Sequence, residues 1–336
     1  MSAPAVLGVG VVGTGVMGAD HARTLARSVS GARLVAVTDV DAARAGAVAG
    51  ELGVGVAADA AALLADPAVD AVVVASHDAT HAGLVRAAVA AGTPVLCEKP
   101  LAPTLAEAAA VLADIGPRGA ELLSLGFMRR FDPGYAELRA TLERGGIGAP
   151  LLVHCVSRGV SSGPGATSES SLTGSAVHEF DVVPWLLRSP VVEVSWSAPH
   201  HPARVPGLVD PQVVLLRTAS GALATVEVFL NAGYGYDIRC EVVGEGGAAS
   251  LAEPVRTVLD GARTRSTGYA ADWRPRFADA YRLQLQAWVD AVAAGTPAPL
   301  ATGRDGVLAA AVADAAITSM RAGGGPVPVE VPQVAR

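Results

Sequence analysis

The sequence predicts an N-terminal α/β domain followed by an α+β domain with a large, mostly antiparallel open sheet. Three observations carry that expectation. The chain has 336 residues, more than a single core usually serves. All fourteen aromatic residues follow Gly126, the first being Phe127, which marks a change of domain near that glycine. The patterning changes there too, from strands alternating with helical stretches to strands following one another. The expected division is 1–126 and 127–336, with the two closing helices free to pack back on the first domain.

In the first part "VLGVGVVG", "RLVAVTDV", "AVDAVVVAS" and "PVLCEKP" read as strands. Between them "GADHARTLARS", "DAARAGAVAGEL" and "ATHAGLVRAAVAAG" have helical composition. Such alternation makes βαβ units and a parallel sheet buried on both faces. In the second part "PLLVHCVSR", "VVEVSWS", "QVVLLRT", "ALATVEVFLN" and "YDIRCEVVG" follow one another with few helices between them. Within the last, Tyr236, Ile238, Cys240 and Val242 alternate with Asp237, Arg239 and Glu241, a period-two strand with one polar face. An antiparallel sheet of about five or six strands is expected. Two helices, near 275–294 and 304–322, close the chain, and "GGIGAP" and "GVSSGPGATSES" read as loops.

Bulk composition excludes several classes. A net charge of −7 without a basic cluster argues against nucleic acid and anionic membrane surfaces as partners. The opening "MSAPAVLGVGVVG" lacks the positive region of a secretory signal, and "GVLAAAVADAAITSM" is broken by Asp314, so no membrane segment is expected. Cys97, Cys155 and Cys240 show no metal-ligand spacing; free buried thiols in a reducing cytoplasm are the expectation. No His/Cys/Asp cluster argues for a metal.

The stretch "GVGVVGTGVMG" fits G-x-G-x-x-G in two frames, Gly8-Gly10-Gly13 and Gly13-Gly15-Gly18. A dinucleotide loop must follow a strand, open a helix, and have an acid about 20 residues on. Only the second frame does so, with Asp39 after "RLVAV". Gly13 and Gly15 then let the backbone approach a pyrophosphate, the helix N-terminus supplies donors, and Gly18 allows close packing. Asp39 accepts from the ribose hydroxyls and repels a 2′-phosphate, which favours NAD. Thr14, Val16, Met17 and Ser76 are counted with that cofactor site, and the first domain is expected to be a Rossmann domain.

"CEKPLAPT" follows the last clear strand of this domain, at the carboxyl edge where an open parallel sheet holds its ligands. "GTGVMGADHA" with "CEKPLA" resembles the Gfo/Idh/MocA family of sugar and cyclitol oxidoreductases. "GFMRRFDPGY", "IGAPLLVHC", "VHEFDVVPWLL", "DPQVVLLRT", "GYGYDIRCEVVGE" and "ADWRPRFADAY" resemble its inositol 2-dehydrogenase branch. The matches run in order from the glycine loop to about Tyr281.

The resemblance implies oxidation of a ring secondary alcohol by hydride transfer to nicotinamide, and commonly a homotetramer formed through the second-domain sheets. It implies that Lys99 binds the reacting hydroxyl, that His178 accepts its proton, and that Glu98 helps fix cofactor and lysine. It places Arg129, Asp181, Tyr234 and Tyr236 around the substrate, a polyol. Other readings stand beside these: Arg129 and Arg130 as solvated groups, Tyr234 and Tyr236 as packing on one face of a strand, Asp181 as a structural partner of His178. His81 reads as a helix residue near the cofactor; His154, His200 and His201 match no motif.

Relatives in that branch normally carry an aspartate four residues before the histidine, where this chain has Gly174. Three explanations compete. A substrate with a larger or cationic substituent, such as an aminocyclitol or aminoglycoside, fills the space; or Asp181, Glu179 or water takes the electrostatic role; or catalysis is impaired. The leading expectation is an NAD-dependent cyclitol or sugar dehydrogenase. The alternatives are a non-catalytic NAD-binding regulator and an NAD-tethered glycosidase or lyase.

Overall fold

The computed structural model describes residues 6–200, 205–252 and 257–333; His201 lies outside the described residues. The chain divides into two compact units. One comprises Met1–Phe131, Asp279–Ala310 and Val331–Arg336, the other Asp132–Ala278 and Ala311–Glu330. The first unit therefore extends five residues past Gly126 and takes in most of the helix Ala278–Ala294.

Six strands of the first unit are parallel: β1 (Leu7–Val12), β2 (Ala32–Thr38), β3 (Gly55–Val56), β4 (Ala71–Val74), β5 (Val95–Cys97) and β6 (Leu123–Leu125). With the short antiparallel strand Ala301–Thr302 beyond β6, their order across the sheet is β6-β5-β4-β1-β2-β3. The order reverses between β1 and β4, which is where an open α/β sheet opens its crevice. Every residue of β1 and β4 is buried, because helices cover both faces of such a sheet.

The crossovers are α1 (Val16–Ser28), α2 (Ala42–Leu52), α3 (Ala60–Ala65), α4 (Asp78–Ala90) and α5 (Leu105–Leu122), the last broken at Gly116. Asp41, Asp59 and Thr104 cap α2, α3 and α5 through side-chain acceptors. Trp288, Leu285 and Val289 from the helix Ala278–Ala294 join Val9, Val11, Leu34 and Leu96 in the core. Burying that indole accounts for a helix distant in sequence belonging to this unit.

The second unit holds α6 (Pro133–Glu143), β7 (Pro150–Arg158), α7 (Ser168–Ser171), α8 (Val177–Leu187), β8 (Val191–Ser197), β9 (Gln212–Thr218), β10 (Leu223–Phe229), β11 (Asp237–Gly244) and β12 (Gly247–Ser250). Its sheet has seven strands, in the order β12-β11-β7-β10-β9-β8 with Val327–Pro328 at the edge. The sheet is mostly antiparallel, as expected, but has seven strands where about five or six were expected, and β7 and β10 pair in parallel. Strand direction is not encoded in period-two patterning, which reports only which face is buried. On one face Val153, Cys155, Val214, Leu216, Val226 and Cys240 are buried. Leu152 is 38%, Val213 36% and Leu215 39% exposed.

A second correction concerns Tyr234 and Tyr236. They do not share a strand face, because β11 begins only at Asp237. Gly235 between them has φ +152, and a Cβ there would lie 2.3 Å from Cβ of Tyr269, so only glycine fits; Tyr236 makes an isolated bridge with Ala270. Asp237, expected on the polar face, is buried at 3% exposure.

Candidate active site

The crevice of the first unit is a cleft of about 730 Å³ at the carboxyl ends of β1, β2 and β4. Gly13, Gly15, Val16, Met17, Asp39 and Ser76 line it. Each glycine of the loop answers a different physical demand. Gly13 has φ +90, and a Cβ would lie 2.6 Å from Cα of Ser76. At Gly18 a Cβ would lie 1.8 Å from the carbonyl oxygen of Gly13, so the helix can approach the strand only without one. At Gly15 a Cβ would meet nothing within 4 Å.

Gly15 is also the N-cap of α1, which has no side-chain cap and no acid in its first turn. No side chain competes for that helix end, and the dipole favours an anion there. An uncapped helix opening beside a glycine that leaves space fits a dinucleotide pyrophosphate.

Asp39 stands at the end of β2. Its Oδ2 accepts from the N–H and the hydroxyl of Thr14, at 2.6 and 3.0 Å. Its Oδ1 accepts from the Asp41 N–H at 2.8 Å and from Arg44 Nη2 at 3.0 Å. Burial pushes the Asp39 carboxyl up, but these donors outweigh it and hold the group below its ordinary value. Arg44, which also lines the cleft, is a site residue the sequence reading missed; its position at the third residue of an Asp-capped helix was the available signal.

Lys99 is the only lysine in the chain. It follows β5 in a turn whose Lys99–Pro100 bond is cis. The preceding Glu98 is 7% exposed and accepts from His21 Nε2 at 2.8 Å through Oε1, and from the Lys99 N–H at 3.2 Å through Oε2. Burial raises the Glu98 pKa, but the His21 bond and the charges of His21 and Lys99 hold it below the ordinary value. A Cβ on Gly126 would lie 3.0 Å from that carboxylate, so the glycine makes its room. His21, buried at 1% exposure, was also missed, since its partner lies far along the chain. Arg129 is buried, not solvated, and Arg130 pairs with Asp305 at 3.2 Å.

In the second unit Gly174, His178 and Asp181 lie on one continuous helical stretch. Thr167 caps α7, Leu172–Ala176 form a π-helical turn, and α8 follows. Such widened turns are frequent at functional sites. A Cβ on Gly174 would meet nothing within 4 Å. The stretch is anchored by Gln212, whose Nε2 donates to Ser171 Oγ and to the Ser168 carbonyl while its Oε1 accepts from the Trp196 indole at 2.7 Å. His178 is 9% and Asp181 2% exposed.

The tyrosines part company. Tyr234 Oη accepts from Arg158 Nη1 at 3.0 Å and donates to Asp237 Oδ2 at 2.5 Å, with its ring against Tyr269. Tyr236 packs edge-on to Phe277. His154 bonds Thr225 at 3.0 Å and His200 is exposed. None of the three cysteines forms a disulfide and all are buried, with Cys155 Sγ 3.9 Å from Cys240 Sγ. Among the described residues no group of His, Cys, Asp or Glu could hold a metal ion, and no helix is long and apolar enough to cross a membrane.

Comparison with known proteins identifies the group. Residues 7–123 match the profile of an oxidoreductase family with an NAD-binding Rossmann fold, and residues 139–331 match that family's C-terminal alpha/beta domain. The chain is 54% identical over 321 residues to inositol 2-dehydrogenase 2 of Paenarthrobacter aurescens, covering 94% of this chain and 96% of that one. It is 51% identical over 327 residues to inositol 2-dehydrogenase 1 of Saccharopolyspora erythraea, covering 96% of each. Its structure resembles myo-inositol dehydrogenase from Lactobacillus casei, solved with NAD(H) and myo-inositol, with a TM-score of 0.91 at 33% identity over 98% of both chains. The chain belongs to the Gfo/Idh/MocA oxidoreductase family and is an NAD-dependent oxidoreductase with that family's Rossmann and C-terminal domains.

Proposed function

We propose that this oxidoreductase oxidises a ring secondary alcohol of a cyclitol. The observation that carries the reading is Lys99, the sole lysine, held in a turn at the carboxyl edge of a Rossmann sheet by the buried Glu98 and His21. Relatives named inositol 2-dehydrogenases support the substrate class. The first unit is assigned to cofactor and the second to substrate and assembly.

Gly13, Thr14, Gly15, Val16 and Met17 hold the pyrophosphate, Asp39 takes the ribose, and Ser76 and Glu98 complete the cofactor contacts. NAD, when bound, supplies a nicotinamide ring that accepts hydride. The Lys99 ammonium donates to the reacting hydroxyl and stabilises the negative charge it develops. His178, as neutral imidazole, accepts the hydroxyl proton. Arg129, Asp181, Tyr234 and Tyr236 are assigned to the remaining hydroxyls.

The open space beside Gly174 favours a ring bearing a larger or cationic substituent, an aminocyclitol or an amino sugar of aminoglycoside type. The part-exposed Leu152, Val213 and Leu215 on one sheet face support assembly into a homotetramer through that face. The thiols, none of them in a disulfide, fit a reducing cytoplasm.

The test is NADH formation by the purified protein with a panel of inositols, aminocyclitols and sugars. At least one cyclitol is expected to react, and Lys99→Ala to abolish the reaction. No turnover across the panel would reject the reading.

A further inference from the structure

The cofactor cleft carries two hydroxyl side chains whose mutual bonding fixes which way each proton points. Ser76 lies two residues beyond β4, and Thr80 stands in the first turn of α4, whose N-cap is His77; both line the cleft. Thr80 Oγ1 lies 2.7 Å from the carbonyl oxygen of His77 and 2.6 Å from Ser76 Oγ. A threonine has one proton to give, and a carbonyl oxygen has none. Were Thr80 to donate to Ser76, its lone pairs would face those of the carbonyl across 2.7 Å, a repulsive contact. Thr80 therefore donates to the His77 carbonyl, a back-bond open to threonine in a helix, and Ser76 donates to Thr80. That spends the only proton Ser76 has. Toward the cleft its hydroxyl offers lone pairs alone.

We propose that Thr80 is a positioning residue that holds Ser76 as a pure hydrogen-bond acceptor, so that Ser76 receives an O–H or N–H from the nicotinamide half of the dinucleotide. This rests on the assignment of Ser76 to the cofactor. Sheet order chooses the half. Across the sheet β1 lies between β4 and β2, so the glycine loop after β1 has Asp39, at the end of β2, on one side and Ser76, beyond β4, on the other. With Asp39 on the adenosine ribose, the side where Ser76 stands is left to the nicotinamide half. Ser76 is also hard against the loop, since a Cβ on Gly13 would lie 2.6 Å from its Cα. The pyrophosphate oxygens only accept and gain nothing from a second acceptor. The ribose hydroxyls and the carboxamide N–H groups of the nicotinamide half are donors, and they match what Ser76 presents.

The test is equilibrium binding of reduced nucleotides to the purified protein, read by nucleotide fluorescence. Thr80→Val removes the hydroxyl and keeps the shape, with Thr80→Ala in its place should it fold poorly; Ser76→Ala removes the acceptor. Each is expected to weaken NADH binding by about 3- to 10-fold. The double variant is expected to lose no more than Ser76→Ala alone, and Thr80→Ser to keep the parent affinity. ADP lacks the nicotinamide half and is expected to bind every variant as it binds the parent, measured by calorimetry. The reduced 3-acetylpyridine analogue, which has no amide N–H, separates the two donors. A loss shared with that analogue assigns the ribose hydroxyls, a loss with NADH alone assigns the carboxamide, and either supports the proposal. Unchanged NADH affinity in Thr80→Val beside a loss in Ser76→Ala overturns the positioning role, as do losses that add or that extend to ADP. Unchanged affinity in Ser76→Ala refutes the assignment of Ser76 to the cofactor, and the proposal with it.

Discussion

His21 Nε2 donates to Glu98 Oε1 across 2.8 Å, with His21 1% and Glu98 7% exposed. The bond joins the helix that follows the glycine loop to the turn that carries the only lysine. One carboxylate thus spans the two motifs by which the family resemblance is first seen, and its second oxygen accepts from the Lys99 N–H.

Breaking this pair is expected to cost stability and to change its pH dependence. Glu98 has a lowered folded pKa, so it stabilises the fold above its unfolded value, near 4.3. That contribution is lost as pH falls through the lower folded value. His21→Ala leaves a buried carboxylate without its main donor and is expected to cost about 3 kcal/mol at neutral pH. Urea denaturation at several pH values checks both the loss and a flattened acid limb.

Asp39 and Arg44 form the second testable pair. The four donors on Asp39 already fill its acceptor positions, so a ribose hydroxyl enters by displacing one. Arg44 is the donor that gives way, since its side chain is 52% exposed and such pairs are worth about 0–1 kcal/mol. Arg44→Ala is therefore expected to leave NADH affinity nearly unchanged. Asp39→Ala is expected to shift preference toward NADPH by about tenfold, or about 1.4 kcal/mol. Equilibrium fluorescence titration with both nucleotides measures each change.

Gly174→Asp is expected to fold, because its Cβ meets nothing within 4 Å and the backbone there is helical. Filling that space favours a small, unsubstituted ring. The ratio of kcat/KM for myo-inositol to that for an aminocyclitol is expected to rise about tenfold or more. Steady-state kinetics on both substrates reads the ratio.

Leu215→Glu places a charge on the exposed face of β9, opposite Thr225 of β10 and Ser195 of β8. A charge buried in an interface is costly. Light scattering after gel filtration is expected to show a tetramer for the parent protein and a smaller species for the variant.

Much of this molecule is legible in its sequence, for physical reasons. Val-rich strands that must be buried on both faces, each followed by a helical stretch, leave few arrangements besides a parallel sheet. The glycines at 13 and 18 are legible because each position has its own steric demand, while at Gly15 a Cβ would meet nothing within 4 Å. The parallel pairing of β7 with β10 is not, because alternation reports faces and not direction. Nor is the start of β11 at Asp237, since Tyr236 bridges instead to Ala270, a residue distant in sequence. His21 and Arg44 read as ordinary helix residues until folding brings Glu98 and Asp39 to them. Lys99 by composition reads as an ordinary surface lysine, and only its place after β5 within "CEKPLA" singles it out.

The most direct measurement is isotopic. A cyclitol carrying deuterium on its carbinol carbon is incubated with the protein and NAD, and the reduced nucleotide is analysed by mass spectrometry. Deuterated NADH is expected in amounts equal to the ketone formed, and none with Lys99→Ala. Unlabelled nucleotide with every cyclitol and aminocyclitol tried, or equal transfer by Lys99→Ala, would contradict hydride removal at a lysine-held hydroxyl.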